Sequence, residues 1–310
     1  MRRRGSRDDR SSPVGCAAPA MLTGQEQPAA ESAELVVQTA RTGAQPKPGY
    51  AEKAGMRPTD ITVVVPVWGR YTALVARAVG SCLAQKPTPR VVVVANGEDV
   101  HLPNLPATVT VVRLAARAGL GAARNAGLAR VGTPYVAFLD ADDQYLPGAL
   151  AALRRPMLPG VVVVAGTIVR HYPDRDPEPA GRPTVADRVR QAVPVVAALT
   201  GTHRNGLYVC GPALLRTGAV RRAGGFPDLA RHEDWALAIR LGWTGTRVLI
   251  ARPILAYTID SGSRFHALGT AELAVHAIGV RADAVASAPR WGTHAARAAA
   301  RRAPTPTASS

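Results

Sequence analysis

The stretch YVAFLDADD, from Tyr135 to Asp143, decides how the rest of the chain is read. A short apolar run is followed at once by the carboxylates Asp140, Asp142 and Asp143. An uninterrupted run of this kind reads as a strand buried on both faces. Polar residues just beyond such a strand lie where parallel α/β sheets bind ligands. On extended backbone, residues two apart point the same way, so Asp140 and Asp142 are expected to face one cavity. Two ionised carboxylates about 4 Å apart repel by about 4 kcal/mol at an effective dielectric of about 20. A hard divalent cation, held by oxygen ligands and shared with substrate phosphates, relieves that repulsion. The alternative use of these residues is to cap a helix starting near Pro147.

Upstream, ITVVV (Ile61 to Val65), VVVV (Val91 to Val94) and VTVVRL (Val109 to Leu114) are further strand-like runs. Helical segments are expected between them, at Tyr71 to Ala84 and at Leu120 to Arg130. Strands alternating with helices imply right-handed crossovers and a largely parallel sheet. After the first run, VPVWGR gives Pro66, then Val67, Trp68, Gly69 and Arg70 in a turn that can lie along a nucleotide base. GLGAARNAG (Gly119 to Gly127) has the outline of a dinucleotide fingerprint, but Arg124 stands where a third glycine is wanted. Arg124 and Asn125 are expected to point into a nucleotide site, with Ala123, Leu128 and Val131 on the core side. An ordinary exposed helix arginine is the alternative for Arg124.

Downstream, an apolar run from Val161 to Val169 precedes a Pro- and charge-rich loop (Tyr172 to Thr184) and an expected helix from Val185 to Leu199. A strand near Tyr208, helices near Thr217 and Asp234, two short strands between Arg247 and Ile259 and a helix from about Leu268 complete the pattern. In HEDWALAIRLG, Trp235, Ala238, Ile239 and Gly242 recur at helical spacing and place Glu233 and Asp234 at a helix N-terminus. Backbone dipoles favour ionised carboxylates there, as a general base requires; a cap without chemistry is the alternative.

The 310 residues, 47% of them apolar, suffice for one catalytic domain with tails. Residues 1–57 and 289–310 lack sustained apolar periodicity and are expected to be disordered. The formal charge of +16 attracts anions such as nucleotide diphosphates and, weakly, lipid headgroups at a membrane surface. It arises from Arg, since Lys occurs only at Lys47, Lys53 and Lys86, a bias that fits GC-rich coding and a bacterial source. No recognition motif supports a nucleic-acid partner. Cys16, Cys82 and Cys210 are widely spaced and imply neither a disulfide framework nor a zinc site. Without an apolar leader or a run of about 20 apolar residues, the expected compartment is the cytoplasm.

Together VVVPVWGR, VVVVANG, GLGAARNAGLARVGTPYVAFLDADDQYLP, GGFPDLARHEDWALAIRLG and YTIDSGS resemble the blocks of family 2 glycosyltransferases, over about Thr59 to Ser263. The resemblance implies a GT-A fold: an α/β, Rossmann-like, mostly parallel central sheet flanked by helices, in a single catalytic domain at residues 58–288. It implies inverting transfer of a sugar from a nucleotide diphosphate sugar, UDP-linked, to the hydroxyl or amine of a small molecule or glycan. The DxD motif then puts Asp140 toward the ribose and Asp142 on a manganese or magnesium ion. Asp234 becomes the general base, with Glu233 beside it near the acceptor. Donor contacts are expected from Pro66, Val67, Trp68 and Arg70, from Asn96, from Arg124 and Asn125, and from Asp140 and Ala141.

Two departures stand out. The family's base-contacting Asp after the second strand is Ala95 here, leaving Asn96 or Glu98 as substitutes. Near the end, Thr258 and Asp260 replace an Arg and a His, with Arg264 and His266 as candidate stand-ins. They motivate the competing reading of a GT-A nucleotide-binding protein that has lost turnover. A nucleotidyltransferase fits less well, because VPVWGRY makes a poor triphosphate loop.

Overall fold

A computed structural model of the chain describes residues 59–185 and 209–259. The expected tails at 1–57 and 289–310, nearly all of the helix expected to end at Leu199, the helix from Leu268, and Asp260, Arg264 and His266 lie outside the described residues.

Among the described residues, four parallel strands form one half of a nine-stranded sheet: β1 (Ile61–Val67), β2 (Arg90–Asn96), β3 (Val109–Leu114) and β4 (Tyr135–Phe138). Their spatial order is β3-β2-β1-β4, so the chain starts centrally, moves out to one edge and returns on the other side of β1. The strand order thus reverses between β1 and β4, the switch point beyond which open α/β sheets bind ligands. The sheet continues through β8 (Ala213–Arg216), β6 (Val161–His171), β9 (Thr246–Thr258) and β5 (Gln144–Tyr145), and β7 (Glu178–Pro179) pairs with β6. Here β8 is antiparallel to both β4 and β6, whereas β6 and β9 run parallel. The sheet is therefore mixed but mostly parallel.

Alternation along the strands feeds two apolar layers. Val63, Val65 and Val67 pack with Val75, Ala78, Val79 and Cys82 of helix α1 (Val75–Leu83). Val64, Val92 and Val94 pack on the other face with Ala123 and Leu128 of α2 (Leu120–Leu128). Ala219 and Val220 of α4 (Thr217–Arg222) and Leu237, Ala238 and Leu241 of α5 (Glu233–Gly242) join that second layer. The short α3 (Ala149–Arg154) adds Leu150 and Leu153 to the first. Each fully buried Val or Leu contributes about 1.5–3 kcal/mol. Helix α2 lies so close to β1 that a Cβ on Gly127 would stand 2.3 Å from Val64 Cγ1, so a side chain there would displace the helix.

Several local expectations are corrected. β3 is an edge strand with mostly half-buried residues rather than one covered on both faces. The helix expected from Tyr71 opens with a 3-10 turn (Gly69–Ala73) before α1. The two short strands expected between Arg247 and Ile259 are the single strand β9, whose pairing with β6 shifts register at bulges. Tyr208, near which a strand is expected, lies outside the described residues, and β8 follows at Ala213–Arg216.

Candidate active site

The end of β4, the middle of α2 and the start of α5 meet around one buried cation. Arg124 projects from α2 and is only 3% exposed. Its Nη2 donates to Asp140 Oδ1 at 2.7 Å and its Nη1 to Glu233 Oε1 at 2.5 Å. The exposed-arginine alternative is thereby excluded. Phe226 lies against the guanidinium, 5.4 Å from ring centroid to Cζ, and itself packs edge-on against Phe138 at 4.8 Å. Burial opposes the charge of Arg124, but the carboxylates of Asp140, Glu233 and Asp234 favour it, so it stays protonated.

The aspartate segment is not an extension of the strand. β4 ends at Phe138, and the Asp143 N–H donates to the Asp140 carbonyl at 3.1 Å, closing a turn. Alternation along extended backbone therefore does not govern where Asp140 and Asp142 point. Nor does relief of their repulsion depend wholly on a metal, because Arg124 already pairs with Asp140. The turn is held from β9 and α1. The Thr258 hydroxyl and Arg77 Nη2 both donate to the Asp142 carbonyl, at 2.6 and 2.9 Å, and the Thr258 N–H donates to Asp143 Oδ1 at 2.9 Å. Thr258, a departure from the family pattern, thus anchors this turn. Burial, with Asp142 and Asp140 adding to it, raises the pKa of Asp143 well above the usual aspartate range.

Among the described residues, no cluster of three or more His, Cys, Asp or Glu side chains forms a protein-only metal cage. Magnesium-type ions are usually held by one or two carboxylates together with substrate phosphates and water. Asp142, on an anchored turn beside further carboxylates, fits that partial donor set.

Helix α5 is preceded by His232, whose φ of 61° is left-handed and whose ring stacks on Trp235 at 4.8 Å. That bend sends Glu233 inward to Arg124, while Asp234 stays half-buried and accepts from the Trp235 N–H at 2.9 Å. Burial raises both carboxyls above their usual 4.5 and 3.8, and Arg124 pulls both back down. The helix start alone therefore does not set their ionisation. A raised pKa makes Asp234 a stronger proton acceptor so long as the cation holds it ionised.

The remaining expected donor residues divide. Pro66 and Val67 end β1, and Trp68 follows with Arg117 above its ring at 4.0 Å. Arg70 is exposed and donates to the Tyr71 hydroxyl at 3.1 Å. Ala141 is buried inside the Asp140 turn. Asn96 is 2% exposed, and both ends of its carboxamide bond the backbone of Ala118, at 2.8 and 3.0 Å. Asn125 likewise bonds both backbone groups of Phe226, at 2.8 and 2.9 Å. A Cβ on the left-handed Gly225 would sit 2.5 Å from its Oδ1. These two asparagines hold loops in place, which redirects the expectation that they face the donor. Ala95 is fully buried in the first apolar layer, an environment that would penalise an unpaired aspartate.

Sequence reading missed Arg77, Cys210 and the anchoring role of Thr258. Arg77 is exposed on α1 and Cys210 lies in the segment before β8, and neither belongs to a motif. The one available signal was that Thr258 departs from the family block.

Residues 62–208 match the sequence model of Glycosyl transferase family 2. The succinoglycan biosynthesis protein ExoU of Rhizobium meliloti (strain 1021) is 32% identical over 103 residues, which cover 31% of this chain and 30% of that protein. The match thus spans about a third of the curated relative's length. Among solved structures, S. aureus TarS 1-349 in complex with UDP superposes with a TM-score of 0.51 at 16% identity, over 76% of this chain and 68% of that one. That likeness supports the GT-A-like sheet.

Proposed function

We propose that this domain, whose residues 62–208 match the sequence model of Glycosyl transferase family 2, moves a sugar from a nucleotide diphosphate sugar to an acceptor hydroxyl or amine with inversion. The observation that carries the reading is the meeting of Asp140 with Glu233 and Asp234 around Arg124 at the switch point of the sheet. One carboxylate follows β4, where a donor lies, and the other two open α5, where an acceptor can approach. UDP is the favoured nucleotide, since the fold neighbour was crystallised with it.

In this reading Asp140, held by Arg124, accepts hydrogen bonds from the ribose, and Trp68 flanks the base. Asp142 and the donor diphosphate would hold a magnesium or manganese ion, which offsets charge on the departing diphosphate. Asp234 takes the proton of the acceptor as its oxygen or nitrogen attacks the anomeric carbon opposite the leaving group. Glu233 is directed inward, and its part is to hold the helix start rather than to meet the acceptor.

A thermal-shift panel of nucleoside diphosphates, with and without manganese, tests the donor side. A ligand at a hundred times its dissociation constant stabilises the fold by about 2.7 kcal/mol. UDP is expected to raise the melting temperature most, and more so with manganese. No shift with any nucleotide would sink the reading. Release of UDP from a UDP-sugar, stimulated by manganese, separates an active transferase from a bare nucleotide binder.

A further inference from the structure

We propose that Arg124 is a positioning residue of the transfer reaction, whose buried guanidinium ties Asp140 to Glu233 and thereby fixes the start of helix α5, with Asp234, relative to the donor. The inference rests on the reading of the site given above and assigns Arg124 a role other than touching the donor.

The geometry supports a tie rather than a ligand contact. At 3% exposure, Arg124 presents almost no surface to a substrate, and each terminal nitrogen is engaged by a different carboxylate. The carboxylates come from separate parts of the chain: Asp140 follows β4, and Glu233 opens α5. The Asp140 side chain is 39% exposed and so reaches both Arg124 and the cleft, whereas that of Glu233 is 7% exposed. Among the described residues Arg124 Nε has no hydrogen-bond partner, so the hydrogen bonds of the guanidinium are those of a two-pronged bridge. The Phe226 ring lies over it, and Gly121, one turn earlier on α2, lets the Glu233 and Phe226 side chains and the Pro227 carbonyl pack against the helix. A lysine would keep the charge but, as a point donor, not the planar fork that spans two carboxylates.

The charges around Asp234 make the tie measurable. Facing it are Arg124 from α2, Asp140 after β4 and Cys210 before β8, with Glu233 beside it on α5 and Arg231 and His232 preceding it in the chain. Arg124 is the cation that favours its ionised form. Removing Arg124 should therefore raise the proton affinity of Asp234 as well as loosen its position, whereas a purely architectural arginine would leave that titration unchanged.

The test uses the full chain and the variants Arg124→Lys, Arg124→Met and the charge-balanced Arg124→Met/Glu233→Gln. The readouts are kcat, the donor KM, the acidic limb of kcat, and a carbon-13 titration of the Asp234 carboxyl assigned with Asp234→Asn. In Arg124→Lys, kcat should fall roughly 10- to 100-fold, the scale of loss from a misplaced reacting group, with the donor KM changing less than about threefold. In Arg124→Met, the Asp234 midpoint and the acidic limb should rise together. If that variant fails to fold, the double variant, which removes the inward carboxylate together with its cation, carries the test, and its Asp234 midpoint should still exceed the wild-type value. Any of three results overturns the inference: an unmoved midpoint in a folded variant, a loss confined to the donor KM, or wild-type turnover in the double variant. A wild type inactive with every donor, whose Asp234 midpoint nonetheless moves in Arg124→Met, refutes the transferase reading and leaves the tie supported.

Discussion

Replacing Asp234 with Asn should separate catalysis from stability. Asp234 Oδ1 accepts the Trp235 N–H at 2.9 Å, and an asparagine Oδ1 can accept the same bond, so the first turn of α5 should persist. Glu233 and its 2.5 Å contact with Arg124 are untouched. The Asp234 carboxyl titrates above its usual 3.8, chiefly because it is buried. For a folded-state pKa raised above the unfolded one, the stabilising contribution is full below the unfolded value and is lost as pH rises through the folded value. At neutral pH the ionised carboxylate therefore no longer stabilises the fold, and the melting temperature of Asp234→Asn should equal or exceed that of the wild type. Turnover should fall by about a hundredfold to ten-thousandfold, the usual contribution of a positioned base. The wild-type kcat should fall on acidification with a limb above 3.8, and that limb should vanish from the residual activity of the variant. The assay is single-turnover transfer at saturating donor and acceptor, with donor affinity and a melting curve for each protein. Turnover within about threefold of wild type in a folded variant, well short of the loss of a base, would refute the assignment.

Asp142→Ala should abolish the manganese-dependent part of diphosphate binding, because the remaining oxygens hold a labile ion poorly; calorimetry with and without manganese reads this directly. Gly127→Ala forces a methyl group toward Val64 Cγ1 and should destabilise the fold by about 1–3 kcal/mol in denaturant titration. Asn96→Ala removes both bonds to Ala118 and should cost about 2 kcal/mol. It should leave the preference among donor bases unchanged if Asn96 only holds the loop, and a changed preference would restore it to the donor site.

Much of this protein was legible in its sequence, because the relevant physics is local. The valine runs announced β1 and β2, as each buries both faces over consecutive residues. The Glu233–Gly242 helix was visible in its spacing, and Ala123, Leu128 and Val131 face the core as read. The DADD segment after β4 marked the strand end at the switch point. What the tertiary structure alone decided is which groups meet. Arg124 lies 16 residues from Asp140 and 109 from Glu233, and no periodicity encodes contacts over such separations. The same holds for the asparagines: a carboxamide can face a ligand or bridge two loops, and only the approach of Ala118 and Phe226 assigned Asn96 and Asn125 to bridging. Asp140 to Asp143 forms a turn because β9 and α1 supply Thr258 and Arg77 to hold it. Burial, finally, raises the pKa of Asp234 against the pull of Arg124, and that balance depends on the packing of distant segments rather than on neighbours in the chain.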